Sequence, residues 1–264
     1  MRAAGRINAE ALAAARAAIR PGATTADLNA AAEEVMRKYG VKSPFKNYPG
    51  PYPYPASTTI SVNEELVHGI PGKRKLKEGD IVSVDSGVIY EGFVADSAFS
   101  AGVGHISEQA RRLLDVTEAS LYAGIRQMVV GNRVGDISAA VQQYVESRGF
   151  SVTREYTGHG VGRAMHEGPQ VPNYGVAGRG LLLRAGMTIA LEPMVLTKSF
   201  RTRVMPDEWT VVSDDGGLTA HFEHSIAVTE AGPYILTVLK DEETKIEHWE
   251  SVLNAEAKSR QSQD

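Results

Sequence analysis

Pro21-Gly22-Ala23-Thr24-Thr25-Ala26-Asp27-Leu28-Asn29-Ala30-Ala31 returns 109 residues later as Val130-Gly131-Asn132-Arg133-Val134-Gly135-Asp136-Ile137-Ser138-Ala139-Ala140. The offset holds outward from there. Leu12 and Ile19 fall opposite Leu121 and Met128, and Gly40-Val41 falls opposite Gly149-Phe150. Each copy reads as two helices. Residues 4–19 form an amphipathic pattern stopped by Pro21-Gly22. Thr25 is read as the N-cap of a second helix over about 26–39, with Leu28, Ala31, Ala32, Val35 and Met36 on its apolar side and Gly40 closing it. Residues 107–128 and 135–148 repeat the pair. The match then continues into strands: Lys77-Glu-Gly-Asp-Ile81-Val-Ser-Val-Asp85 aligns with Arg184-Ala-Gly-Met-Thr188-Ile-Ala-Leu-Glu192 at an offset of 107. Ala95-Asp96-Ser97-Ala98 resembles Phe222-Glu223-His224-Ser225 at 127. Ile81–Asp85 and Gly92–Ser100, with Gly87 between them, read as an antiparallel hairpin. Helix, helix and hairpin thus occur twice, over about 4–100 and 113–230. A period this long is no solenoid. It predicts an α+β fold of two duplicated halves, with antiparallel sheets joined and helices covering the outer face.

Composition narrows the chemistry. The 264 residues, 42% hydrophobic and 23% charged, suit a globular protein of one large or two small domains. A net charge of -4 gives no basic footprint for nucleic acid. The absence of cysteine excludes disulfides, thiolate metal sites and a cysteine nucleophile, so any metal must be held by His, Asp or Glu. No apolar run approaches the ~20 residues needed to span a bilayer. The Ala- and Arg-rich N-terminus has the composition of a transit peptide, but the repeat claims it for the fold, and a cytoplasmic protein is expected. Pro44, Pro49, Pro51, Pro53 and Pro55 make residues 44–55 a stiff loop. A catalytic unit over 1–239 is followed by a tail, 240–264, in which Ile246, Trp249 and Leu253 form an apolar stripe suited to a docked helix, with 255–264 frayed.

Four carboxylates end or interrupt β-type apolar runs: Asp85, Asp96, Glu192 and Glu223. They occupy matching points of the two copies, Asp85 with Glu192 and Asp96 with Glu223. Buried carboxylates need partners or a metal. Four converging between the halves would repel one another unless a cation, most economically a divalent pair, sat among them. Asp85 and Asp96, eleven apart, fit neighbouring strands of one hairpin. Tyr156-Thr-Gly-His159-Gly-Val-Gly-Arg-Ala-Met-His166-Glu-Gly-Pro-Gln170 holds two of the seven histidines. Its alternating Gly158, Gly160 and Gly162 disfavour a helix and suit extended backbone closely approached by a ligand or another strand. This stretch is where a nitrogen ligand would come from. It is not a dinucleotide fingerprint, since no strand–glycine–helix unit with that spacing follows.

Seven motifs in order carry a family resemblance: Ser61-Val-Asn63-Glu-Glu-Leu-Val-His68-Gly-Ile-Pro71, Val84-Asp85-Ser-Gly87, Ala95-Asp96-Ser97, Gly158-His159-Gly160-Val-Gly162, His166-Glu167-Gly-Pro169, Leu191-Glu192-Pro193-Met194 and Phe222-Glu223-His224-Ser225. From Met1 to about Leu236 the chain resembles the bacterial type I methionine aminopeptidases, metallopeptidases of the duplicated pita-bread fold. The resemblance implies two divalent ions (Co, Mn, Fe or Zn) on Asp85, Asp96, His159, Glu192 and Glu223. Asp96 and Glu223 would bridge, with Asp85 on one ion and His159 and Glu192 on the other. It makes His68 and His166 substrate-contacting catalytic groups and gives Glu192 a proton-shuttling role. It places the methionine side chain against Tyr54, Thr59, Met165 and Trp209.

The residue chemistry is compatible with that implication: four carboxylates and an imidazole form a hard, oxygen-rich site. Two departures from the family pattern appear. Thr59 and Met165 stand where many relatives have Cys and Phe, and the Tyr48–Pro55 loop is about three residues longer. The implied substrates are peptides and nascent chains beginning with Met and a small second residue, met near the ribosome by a monomer. The nearest alternatives are a proline-specific aminopeptidase or dipeptidase using the same ligands, and a non-catalytic peptide-binding module of the same fold.

Overall fold

In the computed structural model the described residues are 1–239 and 243–261. Helices α1 (Arg2–Ala17) and α2 (Thr25–Tyr39) precede strands β1 (Thr58–Val62), β2 (Glu65–Val67), β3 (Ile81–Tyr90) and β4 (Phe93–Gly102). The second copy opens with α3 (Glu108–Ile125) and α4 (Val134–Glu146) and continues through β5 (Ser151–Val152), β6 (Thr157–Gly160), β7 (Glu167–Pro172), β8 (Thr188–Leu191) and β9 (Met194–Leu196). It ends with β10 (Thr202–Val204), β11 (Val211–Ser213), β12 (Thr219–His221), β13 (His224–Thr229) and β14 (Gly232–Ile235), after which comes α5 (Glu243–Gln261). The duplicated α+β plan read from the sequence is therefore present.

The repeated residues do repeated work. The cap of α2 is Thr24, one residue earlier than expected: its hydroxyl accepts from Asp27 N while Asp27 Oδ2 accepts Thr24 N–H at 2.7 Å. Asp136 reaches back to Arg133 N at the same distance. Gly22 and Gly131 both hold a left-handed backbone, φ 87° and 97°, a conformation nearly free of cost only to glycine. The next residue ties each helix pair to the segment leading into β3 or β8: Leu76 N donates to Ala23 O, and Leu183 N to Asn132 O, both at 2.7 Å. Leu28 and Ile137, partners in the repeat, are fully buried; removing such a side chain from water contributes ~1.5–3 kcal/mol. One apolar core runs through both helix pairs and the sheets they cover.

β3 and β4 pair in unbroken register from Ile81↔Gly102 to Tyr90↔Phe93. The hairpin turns at Glu91-Gly92, not at Gly87; Gly87 pairs with Asp96, where a Cβ would lie 2.6 Å from the Pro44 ring. In the second half β14-β13-β8-β6-β7 form one sheet. The halves are sewn together where β4 meets the chain between β12 and β13: Glu223 N donates to Ala98 O at 2.9 Å, and Ala98 N to Glu223 O at 3.3 Å. That seam sets the carboxylates of the two copies facing one another.

α5 extends to Gln261, so residues 255–261 are helical where fraying was expected. Arg148 meets Glu256 at 2.7 Å, and Tyr144 Oη donates to Glu256 at 3.3 Å, which anchors the last turns. Leu253 is buried and the Trp249 ring stacks on Tyr122. The Ile246 side chain and residues 262–264 lie outside what is described.

Candidate metal centre

Asp85 and Asp96 come from the first hairpin, Glu223 from the seam bridge between β12 and β13, Glu192 from the residue after β8 and His159 from β6. Each position is locked by backbone contacts. Ser225 Oγ accepts Asp96 N–H at 3.0 Å and donates to Asp96 O at 2.8 Å, clamping one acid to the strand carrying the other. Behind the hairpin, buried Asn8 of α1 donates to Ser86 O and Ser97 Oγ, the residues that follow Asp85 and Asp96. β6 lies between β7 and β8, and its glycines let both approach. A Cβ at Gly158 would lie 2.6 Å from Ala190 O, and one at Gly160 2.2 Å from Gly168 O.

The structure brings all five residues together. His159 Nε2 lies 3.4 Å from Glu192 Oε1 and 3.8 Å from Asp96 Oδ2. His159 Nδ1 is 2.9 Å from Gly160 O; donating there leaves the Nε2 lone pair facing the acids. Asp96, His159 and Glu223 can each place a donor atom within 4.8 Å of the others. Buried Asp85 Oδ1, Asp96 Oδ1 and Glu223 Oε1 have no hydrogen-bond partner, as expected of a donor set that a cation completes. Burial, followed by mutual repulsion, pushes Asp96 and Glu223 well above the usual carboxylate range. Burial carries Asp85 to about 7, with His221 lowering and Glu192 raising it further, and carries Glu192 to about 7 against the pull of His159. Four carboxylates with raised pKa values, three of them with an orphaned oxygen, fit divalent ions well.

The acids line a cleft of about 210 Å³, open to solvent, whose walls include Tyr54, Thr59, Met165, Trp209, His68 and His166. All four expected side-chain-pocket residues thus line one cavity with the acids. Tyr54 and Trp209 meet edge to face at 5.1 Å, and the Trp209 ring also covers Gly50, where a Cβ would lie only 2.4 Å from it. His68 has φ 63°, a strained backbone of the kind that clusters at working sites. Burial, helped by the nearby His221 and His166, pulls its pKa to about 4. Burial also lowers His166. Both rings are therefore neutral donors at pH 7. The loop presenting Met165 and His166 is closed by Glu167, whose carboxylate accepts Arg163 N–H and Ala164 N–H at 2.6 and 2.7 Å.

Several residues lining the site were not assigned a role from the sequence, three of them with clear contacts. Phe45 joins the apolar wall. Tyr48, in the lengthened proline-rich loop, puts its Oη 2.8 Å from His166 Nδ1. His221 is 2% exposed and faces Glu192 and Glu223. A usable signal existed only for His221, two residues before Glu223 in an extended run and so on the same face.

Comparison with known proteins agrees with this geometry. The sequence profile of the metallopeptidase family M24 matches residues 1–230. A methionine aminopeptidase of Clostridium perfringens is 50% identical over 240 residues, covering 91% of this chain and 95% of that protein. Methionine aminopeptidase 1 of Bacillus subtilis is 49% identical over 237 residues, covering 90% and 94%. The crystal structure of methionine aminopeptidase from Thermotoga maritima superposes with a TM-score of 0.88 at 48% identity, covering 90% and 95%. A Bacillus anthracis Xaa-Pro dipeptidase shares the fold, with a TM-score of 0.71 at 22% identity. The chain belongs to the metallopeptidase family M24, and within it to the methionine aminopeptidases.

Proposed function

We propose that residues 1–239 act as one catalytic unit that removes the initiator methionine from peptides and nascent chains with a small second residue. We propose that two divalent ions are held by Asp85, Asp96, His159, Glu192 and Glu223. The observation that carries this is the set of buried, partnerless carboxylate oxygens at the foot of an apolar cleft. When bound, the ions supply Lewis acidity that brings the pKa of water from its bulk value toward roughly 7. The chain's own groups do the rest. Glu192 takes the proton of the attacking water and hands it to the leaving amine. Neutral His68 and His166 donate N–H bonds to the oxygen that becomes negative at the scissile carbonyl. Tyr48, donating to His166 Nδ1, selects the tautomer whose Nε2–H is free for that task. Tyr54, Thr59, Met165 and Trp209 receive the methionine side chain, with flexible Met165 as an adaptable wall. The protein acts as a monomeric exopeptidase on peptides and on chains emerging from the ribosome.

A proline-directed specificity draws only on a fold shared at 22% identity. Hydrolysis of Met-Ala, Met-Leu, Leu-Ala and Ala-Pro peptides by protein stripped of metal and then reloaded separates the readings. Release of Met ahead of Ala, restored by metal, is expected. Preference for Ala-Pro, or undiminished activity in excess chelator, would overturn the proposal.

A further inference from the structure

His221 ends β12, and its backbone is fixed across the seam between the halves. His221 N donates to Ser100 Oγ at 2.9 Å, Ser100 Oγ donates to His221 O at 2.9 Å, and Ser83 Oγ sits 2.7 Å from the same hydroxyl. The side chain is thereby held against the acids. Its Nε2 lies 3.5 Å from Glu192 Oε2 and 3.9 Å from Glu223 Oε2. These separations match those of His159, 3.4 Å to Glu192 Oε1 and 3.8 Å to Asp96 Oδ2. The two imidazoles therefore bracket the Glu192 carboxylate, one facing each oxygen. At 3.5 Å or beyond, neither carboxylate gives His221 a good hydrogen bond, and the buried Nε2 has no hydrogen-bond partner. Neighbouring donor atoms on one ion, each about 2.0–2.2 Å from it, stand roughly 3–3.6 Å apart; the 3.5 Å to Glu192 falls in that range, and the 3.9 Å to Glu223 lies a few tenths of an ångström beyond it. Glu192, His221 and Glu223 can set their donor atoms within 4.8 Å of one another, a second trio beside Asp96, His159 and Glu223.

We infer that His221 is a second nitrogen ligand of the metal centre, binding through Nε2 on the Glu192–Glu223 side. This rests on the metal-dependent reading above and adds to its donor set. A site with two imidazoles is softer than one with a single nitrogen, which shifts its preference along the series toward ions that favour nitrogen, such as Zn(II) and Co(II), over Mn(II). Glu192 is then confined between two rings, so its proton-carrying oxygen keeps one orientation.

The test is proton NMR of the Co(II)-loaded full chain, counting solvent-exchangeable, hyperfine-shifted N–H resonances, one for each coordinated imidazole. Two are expected in the wild-type protein and one in His221→Gln. The variant should also hold one of its two ions about tenfold or more weakly. Glutamine keeps a side-chain N–H donor. If His221 only oriented Glu192 by hydrogen bonding, His221→Gln would retain both ions with unchanged affinity, and the wild type would show a single resonance. That result overturns the inference and leaves the metal-dependent reading standing. Failure of the wild-type protein to take up Co(II) at all would sink both. The wild-type count stands whether or not the variant folds, and melting of His221→Gln in chelator checks that it does.

Discussion

Removing the metal should leave a protein whose stability falls as pH rises from about 4 to about 7, and Asp85 should account for much of that fall. In the folded, metal-free chain Asp85 rises from 3.8 to about 7, and Glu192 from 4.5 to about 7, burial being the main cause of each. The direction follows from linkage. Well below pH 4 both groups are protonated in both states, so neither burdens the fold. Between the ordinary and the raised value the unfolded chain ionises while the folded one stays protonated, so the unfolded state gains and stability declines. Above about 7 Asp85 and Glu192 add no further loss, while Asp96 and Glu223, raised well above the usual range, act in the same direction. A rise from 3.8 to about 7 corresponds to ~4 kcal/mol for Asp85 by itself. Glu192 contributes less than its separate shift suggests, because the two acids repel within one cavity. Asp85→Asn in excess chelator should therefore be more stable than the wild type by ~2–4 kcal/mol at pH 7.5, roughly 10 °C in Tm. The two should converge near pH 4. With metal restored the order reverses at pH 7.5, because the ions need the carboxylate ionised. Denaturant melts of both proteins from pH 4 to 8, with and without metal, measure this. Equal stability of the two chelated proteins at pH 7.5, or a gap that widens toward acid, would refute the reasoning.

Tyr48→Phe removes the hydroxyl that meets His166 Nδ1, and a hydrogen bond contributes ~0.5–1.5 kcal/mol. A two- to tenfold loss of kcat for a Met-Ala peptide is expected, with metal content unchanged. His68→Ala should lower kcat by about 10²–10³, as loss of an oxyanion donor does, while both ions stay bound; a metal-depleted variant would make His68 a ligand instead. Met165→Ala opens the pocket wall, and since a methylene there discriminates by about 1–3 kcal/mol, kcat/KM for Met-Ala relative to Leu-Ala should change by tenfold or more.

The fold was legible because the two copies repeat features with a local physical cause. Asp27 and Asp136 reach back to helix starts, Gly22 and Gly131 turn left-handed, and Leu28 and Ile137 fill equivalent holes. Errors fell at boundaries. Thr24 rather than Thr25 caps α2, since the capping hydroxyl must sit three residues before Asp27. The hairpin runs through Gly87 because Pro44 and Phe45 pack against that face, a contact between distant segments that no local pattern announces. The acids could be read because carboxylates inside apolar runs contradict their surroundings. Tyr48 could not be read: its reach to His166 spans 118 residues and depends on the course of the proline-rich loop. His221 sat in plain view two residues before Glu223, but one more histidine beside an acid in a strand has many uses, and only the geometry aims this one at Glu192.

The central claim is that the buried acids hold the ions on which methionine release depends. Metal content and Met-Ala turnover, measured on the same preparations of the wild type and of the Asp96→Asn, Glu223→Gln double variant, test it most directly. The expected result is two bound ions with turnover in the wild type, and neither in a double variant that still folds. Turnover persisting in a metal-free double variant would contradict it.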